Sequence, residues 1–292
     1  MPKQKKKIIF AKTIYPDMMM NKMILFSAFL FVLMSDSPRK AEVILSDDDY
    51  ELVFSDEFNL PNGSQPDSRI WSRKTRNPDQ CNRWNSDSEK VVFIKNGHLV
   101  CRAIPNRSEP NDTARMLTGS IWTYGKYNVT YGRIEVRMKT NNKVGNFPAA
   151  WLKWQPRNWT TDPYAEIDIV EMFGNMGSAN HNIHSQLTVK NPKHGQKNSF
   201  RVPLDVKKWH VYAIEWTPTY VTWTIDGKPV GTYKKSTDPK LLREGQWTFD
   251  QPCYIVLNQS VGDGSIKGIG RYRNTTYETQ FDYIRIYQKV KR

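Results

Sequence analysis

Three carboxylates crowd one short segment of this 292-residue chain, Tyr164-Ala-Glu-Ile-Asp-Ile-Val-Glu-Met-Phe173. Side chains alternate between the two faces of a strand, so Glu166 and Asp168 point one way and Glu171, three residues past Asp168, points the other. One extra residue at Ile169-Val170, a β-bulge, restores the phase and brings all three acids to one side. The bulge is the expected solution, because without it Glu171 joins Ile167 and Ile169 on an apolar face where an unpaired carboxylate is costly. Like charges this close resist simultaneous ionisation, so at least one acid keeps its proton near neutral pH. A protonated acid beside an ionised one is the equipment of general acid catalysis with a nucleophile. Along a bulged strand Glu166 and Glu171 come to about 5–5.5 Å, the separation that suits a double displacement. Glu166 is then the nucleophile and Glu171 the acid/base, with Asp168 between them hydrogen-bonding Glu166. The motif alone also fits a solvated strand face or a cation site built from acids.

The elements that would carry these acids read as strands. From Tyr50 onward, short apolar–polar alternations are broken by turn residues, and long helical periodicity is nearly absent. Residues 90–94 and 98–103 flank Asn96-Gly97, and residues 222–225 and 229–233 flank Asp226-Gly227, so both pairs are expected hairpins with two-residue turns. Residues 127–130, 133–139, 209–216, 221–225, 254–258 and 279–288 continue the series, and residues 240–245 allow one short helical turn. Many strands with frequent turn signals predict an all-β sandwich or jelly roll. One domain over residues 50–290 accounts for the body, with neither an internal repeat nor a low-complexity linker.

Ahead of the body, residues 23–34 form an apolar run that follows Lys22 and ends at Ser35-Asp36-Ser37-Pro38. It is short for a bilayer span and has the layout of a secretory signal. Residues 1–34 are therefore expected to be a targeting segment, with the true start at the Met18–Met20 cluster, and residues 35–49 a tether. A secreted, periplasmic or cell-surface monomer without a stable membrane span follows. The formal net charge is +14, which suits an anionic partner; no nucleic-acid motif accompanies it, and no nucleotide, haem or flavin motif appears. Cys81, Cys101 and Cys253 make neither a disulfide framework nor a zinc site. Cys101 and Cys253 sit in apolar runs and read as small core residues.

At the three acids the chain resembles glycoside hydrolase family 16, whose signature is Glu-x-Asp-x-x-Glu on a bulged strand. The likeness covers roughly residues 51–288. Its stations, in order, are Leu52-Val-Phe-Ser-Asp-Glu-Phe58, Tyr131-Gly-Arg-Ile-Glu-Val-Arg137, Phe147-Pro-Ala-Ala-Trp151, Trp209-His-Val-Tyr-Ala-Ile-Glu-Trp216, Ile225-Asp-Gly227, Leu257-Asn258 and Phe281-Asp-Tyr-Ile-Arg-Ile-Tyr287. The resemblance implies a concanavalin A-like jelly roll with a concave cleft and endo-acting, retaining hydrolysis of a β-glycoside. It implies no cofactor for catalysis, but a structural calcium held by Glu57, the Gly97 backbone and Asp282.

Around the acids, Trp151 is the expected stacking floor for a sugar ring, with Trp154 opposite it on a regular strand and one of the two structural. His184 lies on the next strand, within reach of a catalytic carboxylate or a sugar, and Asn258 joins the substrate-binding set. Arg83 and Trp84 in the early loop, together with Trp122, are more like members that act on β-galactosides, of porphyran, agar, keratan or mucin type. The basic body suits sulfated or sialylated chains. A β-1,3-glucanase and a non-catalytic glycan-binding protein are the alternatives, the second disfavoured because all three acids are present.

Overall fold

The computed structural model describes residues 49–76, 84–107, 114–156, 158, 161–193 and 196–290. The expected targeting segment, nearly all of the tether, Cys81 and Arg83 lie outside the described residues. All described residues fall in the unit that runs from Leu45 to Arg292. Fifteen strands and two short helices follow in order: β1 (Tyr50–Asp56), β2 (Ser72–Arg73), β3 (Val92–Lys95), β4 (His98–Pro105), β5 (Met116–Trp122), β6 (Gly132–Thr140), β7 (Asn146–Trp154), β8 (Ala165–Glu171), β9 (Ser178–Ser185), α1 (Gln186–Lys190), β10 (Ser199–Pro203), β11 (His210–Trp216), β12 (Tyr220–Ile225), β13 (Lys228–Lys234), α2 (Pro239–Arg243), β14 (Cys253–Val261) and β15 (Tyr277–Lys289).

Both anticipated hairpins form. Asn96 and Gly97 have φ of 53° and 71°, and Asp226 and Gly227 have 49° and 75°. Two consecutive positive φ values make a turn whose twist matches that of the strands, and Asn-Gly and Asp-Gly accept it at little cost. Residues 127–130 do not form the expected strand; only Val129 makes a bridge, to Cys253. The run sits between a turn that Thr123 caps, through its hydroxyl on the Tyr127 carbonyl, and the positive φ of Tyr131.

Hydrogen bonding runs in the order β10-β9-β8-β7-β14-β5-β4-β15-β6-β11-β12-β13, with β1 on β15, β2 on β5 and β3 on β4. The ladder is divided into two layers: β10-β9-β8-β7-β14-β5 with β2 forms one, and the strands from β4 to β13 with β1 and β3 the other. This is the all-β jelly roll that the alternation predicted. The layers face each other through one core. The first contributes Ile167, Ile169, Val170, Leu152, Ile183, Ile255 and Leu257, and the second Ile134, Val136, Tyr212, Ile214, Trp216, Trp223, Phe281 and Ile284. Cys101 and Cys253 are free and buried in that core, where desolvation pushes both thiols up. Alternation then sends every second residue of β8, β7 and β14 to the outer face of the first layer.

Candidate active site

The bulge is present at the anticipated place. Against β7, Trp151 pairs with Asp168 and Ala150 with Val170, so Ile169 has no partner. Against β9, Asp168 pairs with Asn182 and Glu171 with Asn180, again one residue over. Cross-strand partners share a face, so the register writes three rows across the outer face of the first layer. One holds His184, Glu166, Lys153 and Tyr254. The next holds Asn182, Asp168, Trp151, Val256 and Trp122. The third holds Asn180, Glu171, Ala149, Asn258 and Ser120. All three acids are on this face.

Their surroundings differ. Glu166 accepts a hydrogen bond from the Tyr164 hydroxyl at 2.7 Å, and the Lys153 ammonium lies 3.4 Å from the same oxygen. Lys153 also donates to the Tyr164 hydroxyl at 3.1 Å, which closes the set. Glu171 has one side-chain donor, Asn182 Nδ2 at 2.6 Å. Burial, and then the charges of Asp168 and Glu166, hold its carboxyl well above the ordinary range. Asp168 is only 3% exposed. Burial and the neighbouring Glu166 push it up to about 6, against the pull of His184.

The anticipated hydrogen bond from Asp168 to Glu166 is replaced by a contact with His184, whose Nε2 is 3.3 Å from Asp168 Oδ2. The approach is ionic rather than well aligned, and leaves that oxygen without a formed hydrogen bond. Burial disfavours a charged His184, but the Asp168 contact and the charges of Glu166 and Glu171 outweigh it and raise the imidazole to about 9. Glu166, Asp168 and His184 each offer one atom within a 4.8 Å cluster that is wide enough for a metal ion. A protonated imidazole and an ammonium beside Glu166 make that set a poor cation cage.

Trp151 is half-buried on the outer face, its indole N–H bonded to Asn258 Oδ1 at 2.8 Å. Trp154 packs against the core, so of the two it is the structural one. Trp122 lies on the same face as Trp151, stacked on Tyr124 with centroids 4.8 Å apart. The Lys74 ammonium sits over both indoles, 4.8 Å from Trp122 and 5.5 Å from Trp151. Trp84 meets Tyr272 edge-on at 4.9 Å, against the satellite cluster of Met116, Val261 and Tyr277. Sequence reasoning missed Tyr164, Lys153, Asn182 and Lys74. The first three were within reach of the strand period, since each stands two residues from a residue already singled out.

The acids expected to hold calcium are otherwise engaged. Arg285 grips Glu57 with two bonds, at 2.9 and 2.8 Å. Asp282 is bonded by Arg137 and has His98 Nδ1 at 3.0 Å. Gly97 serves the β3–β4 turn. A divalent cation needs oxygen ligands and would here meet two guanidinium groups, so this donor set does not fit calcium.

A family model for glycosyl hydrolases family 16 matches residues 83–284. The chain belongs to that family. Among its relatives is the keratan-sulfate endo-1,4-β-galactosidase of Sphingobacterium multivorum, 29% identical over 82% of this chain and 56% of that protein. Another is a β-glucanase of Rhodothermus marinus, 28% identical over 94% of this chain and 99% of that protein. The crystal structure of SCLam, a non-specific endo-β-1,3(4)-glucanase, superimposes with a TM-score of 0.71 at 25% identity, over 85% of this chain and 94% of that one. The chain thus spans little more than half of the first of these relatives and nearly all of the second.

Proposed function

We propose that this chain is an endo-acting, retaining β-glycoside hydrolase of extracellular glycans. Glu166 is the nucleophile and Glu171 the acid/base. The observation that carries this reading is the unequal setting of the two glutamates on one bulged strand. Glu166, with Tyr164 and Lys153 as donors, is equipped to attack the anomeric carbon as a carboxylate. Glu171, desolvated and crowded by two acids, keeps the proton that the leaving oxygen needs. In the second half of the double displacement Glu171 takes a proton from water, which releases the sugar from Glu166. Asp168 and protonated His184 form a paired charge beside the nucleophile, so the field around Glu166 changes little while its own charge is consumed and restored. Trp151 and Trp122 offer faces for sugar rings, and Asn258 fixes the tilt of the Trp151 indole.

The favoured substrate is a β-galactoside chain carrying anionic groups. The keratan-sulfate relative supports this reading, and so do Lys74 and Lys153 flanking Trp151, with the Lys153 ammonium 5.8 Å from that ring. The Rhodothermus relative, a β-glucanase aligned over nearly its full length, favours a β-glucan instead, of which a β-1,3-glucan is the form to test. A product assay decides between them. Keratan sulfate, its desulfated form, agarose, porphyran, mucin O-glycans, laminarin and mixed-linkage glucan are incubated with the parent protein and with Glu166→Gln. The galactoside reading expects oligosaccharides with retained anomeric configuration from a galactan and none from the variant. Products from laminarin alone give the glucanase reading. Binding without products leaves a glycan-binding protein.

A further inference from the structure

The bulge at Ile169 turns two backbone carbonyls toward the core, and each finds a side-chain partner there. Trp223 Nε1 donates to the Asp168 carbonyl at 2.8 Å. His181 Nδ1 lies 2.6 Å from the Ile169 carbonyl. Neither contact belongs to the ladder of β8. Trp223 reaches across from β12 in the opposite layer, and His181 is a core-facing residue of β9 with no exposed surface.

The chemistry of His181 marks this as more than packing. Burial lowers its imidazole to about 4, so the ring is neutral. A neutral imidazole against a carbonyl must carry its proton on Nδ1. The other nitrogen, Nε2, then stands buried without a partner. A leucine at this position would leave no orphaned nitrogen, so the one thing the imidazole adds is the bond to Ile169.

Trp223 is seated with similar care. The Phe200 ring lies 5.5 Å from it. That ring occupies the space beside Gly231, where a Cβ would come within 2.2 Å of Phe200 Cδ1. Gly231 is the cross-strand partner of Trp223 on β13. The absent side chain therefore lets Phe200 press the indole into place beneath β8.

We infer that Trp223 and His181 are positioning residues that hold the β8 bulge and thereby keep Glu171 on the same face as Glu166. A regular strand from Asp168 onward would turn Glu171 into the core, and a bulge with unbonded carbonyls has little to hold it in the alternative phase. The two donors select the bulged form. This inference rests on the assignment of Glu171 as acid/base.

The test uses three variants of the full chain. Trp223→Phe keeps the aromatic packing and removes the N–H. His181→Leu removes the donor in similar volume, and His181→Asn restores an N–H near the position of Nδ1. Steady-state kinetics are read on whichever glycan the parent cleaves, across pH, with amide hydrogen exchange over residues 165–172. The expected result for Trp223→Phe and His181→Leu is a fall in kcat of about 10- to 100-fold, as for a slightly misplaced catalytic group. KM stays within about twofold, since the sugar-binding face is intact. The alkaline limb moves to lower pH, because Glu171 leaves the buried place shared with Glu166, Asp168, His184 and Asn182. Exchange accelerates across residues 168–171, and His181→Asn recovers most of the lost kcat.

A folded Trp223→Phe with the parent's kcat, pH profile and exchange overturns the inference, and so does a His181→Asn variant no better than His181→Leu. Should His181→Leu fail to fold, Trp223→Phe alone decides. Exchange is read without substrate, so a parent inactive on every glycan removes the hydrolase reading while the exchange data still support or overturn the clamp.

Discussion

The two outer faces of the sandwich use the same kinds of residue in opposite ways. On the β4-to-β13 layer each of four acids faces an arginine: Glu57 with Arg285, Asp282 with Arg137, Glu278 with Arg102 and Glu135 with Arg133. Glu278 shows the consequence: burial alone would raise its carboxyl, but bonds from Gln280 and Arg102 hold it below the ordinary range. On the β8 face three acids share one ammonium and one imidazole, and two of them are pushed upward. The Glu278 carboxylate, matched with a guanidinium group, is thereby kept in its charged form. Where three carboxylates must divide too few cations, one of them, Glu171, is held well above the ordinary range and keeps its proton, which is the condition for acid catalysis.

Neutralising one acid on the β8 face should break this contrast most severely. Glu166→Gln and Glu171→Gln are each expected to lower kcat by about 10³-fold or more, with the fold retained by circular dichroism. Glu171→Gln should also melt at a higher temperature than the parent at pH 8 and at the same temperature near pH 4. The sign follows from linkage. A carboxyl raised in the folded state contributes stability that is fully present below its unfolded value and is lost as pH rises through the folded one. Removing the charge therefore helps once the pH exceeds the unfolded value, and most above the folded one. Equal melting temperatures at both pH values would show that the crowding carries no cost.

The pH profile gives the next largest effect. Activity should fall below about pH 6 as Asp168 takes up its proton, and on the alkaline side as Glu171 loses its own. His184→Gln should move the acid limb upward, because His184 holds the Asp168 carboxyl down, and should lower kcat by about tenfold. An unmoved limb would detach His184 from the triad.

Smaller changes are expected on the arginine-matched face. Adding calcium or a chelator should leave the melting temperature of the parent unchanged, since Arg285 and Arg137 already occupy the acids. Arg285→Met should cost about 1 kcal/mol or less, the usual scale of a half-exposed pair. It should also make the melting temperature newly sensitive to calcium, because Glu57 is released. A parent already stabilised by calcium would overturn the arginine account.

Much of this arrangement was legible in the chain. Asn96-Gly97 and Asp226-Gly227 announce their hairpins because few other residue pairs accept two positive φ angles in succession. The bulge was legible because leaving Glu171 on the apolar face costs more than one unpaired residue. Less legible was anything that depends on which strand lies beside which. Lys153 and Tyr164 sit in the right phase, but only the β7–β8 register shows that they converge on Glu166. The arginines that engage Glu57 and Asp282 come from β6 and β15, and strand neighbours far apart in sequence leave no local trace. The short helix α1 was missed for a related reason. Its signal is one capping exchange between Ser185 and Thr188, too brief to stand out from the strand that precedes it.

The single unpaired residue at Ile169 has a genetic corollary. Loss of its one codon would turn Glu-x-Asp-x-x-Glu into Glu-x-Asp-x-Glu, and strict alternation would still set all three acids on one face. Such a chain would need no donor for the extra carbonyl, so positions 181 and 223 would be released from their present constraint and free to drift toward plain apolar residues. Descendants of the two spellings should therefore differ in step at three places remote in sequence, and a histidine and a tryptophan retained in the core would be the heritable mark of the longer one.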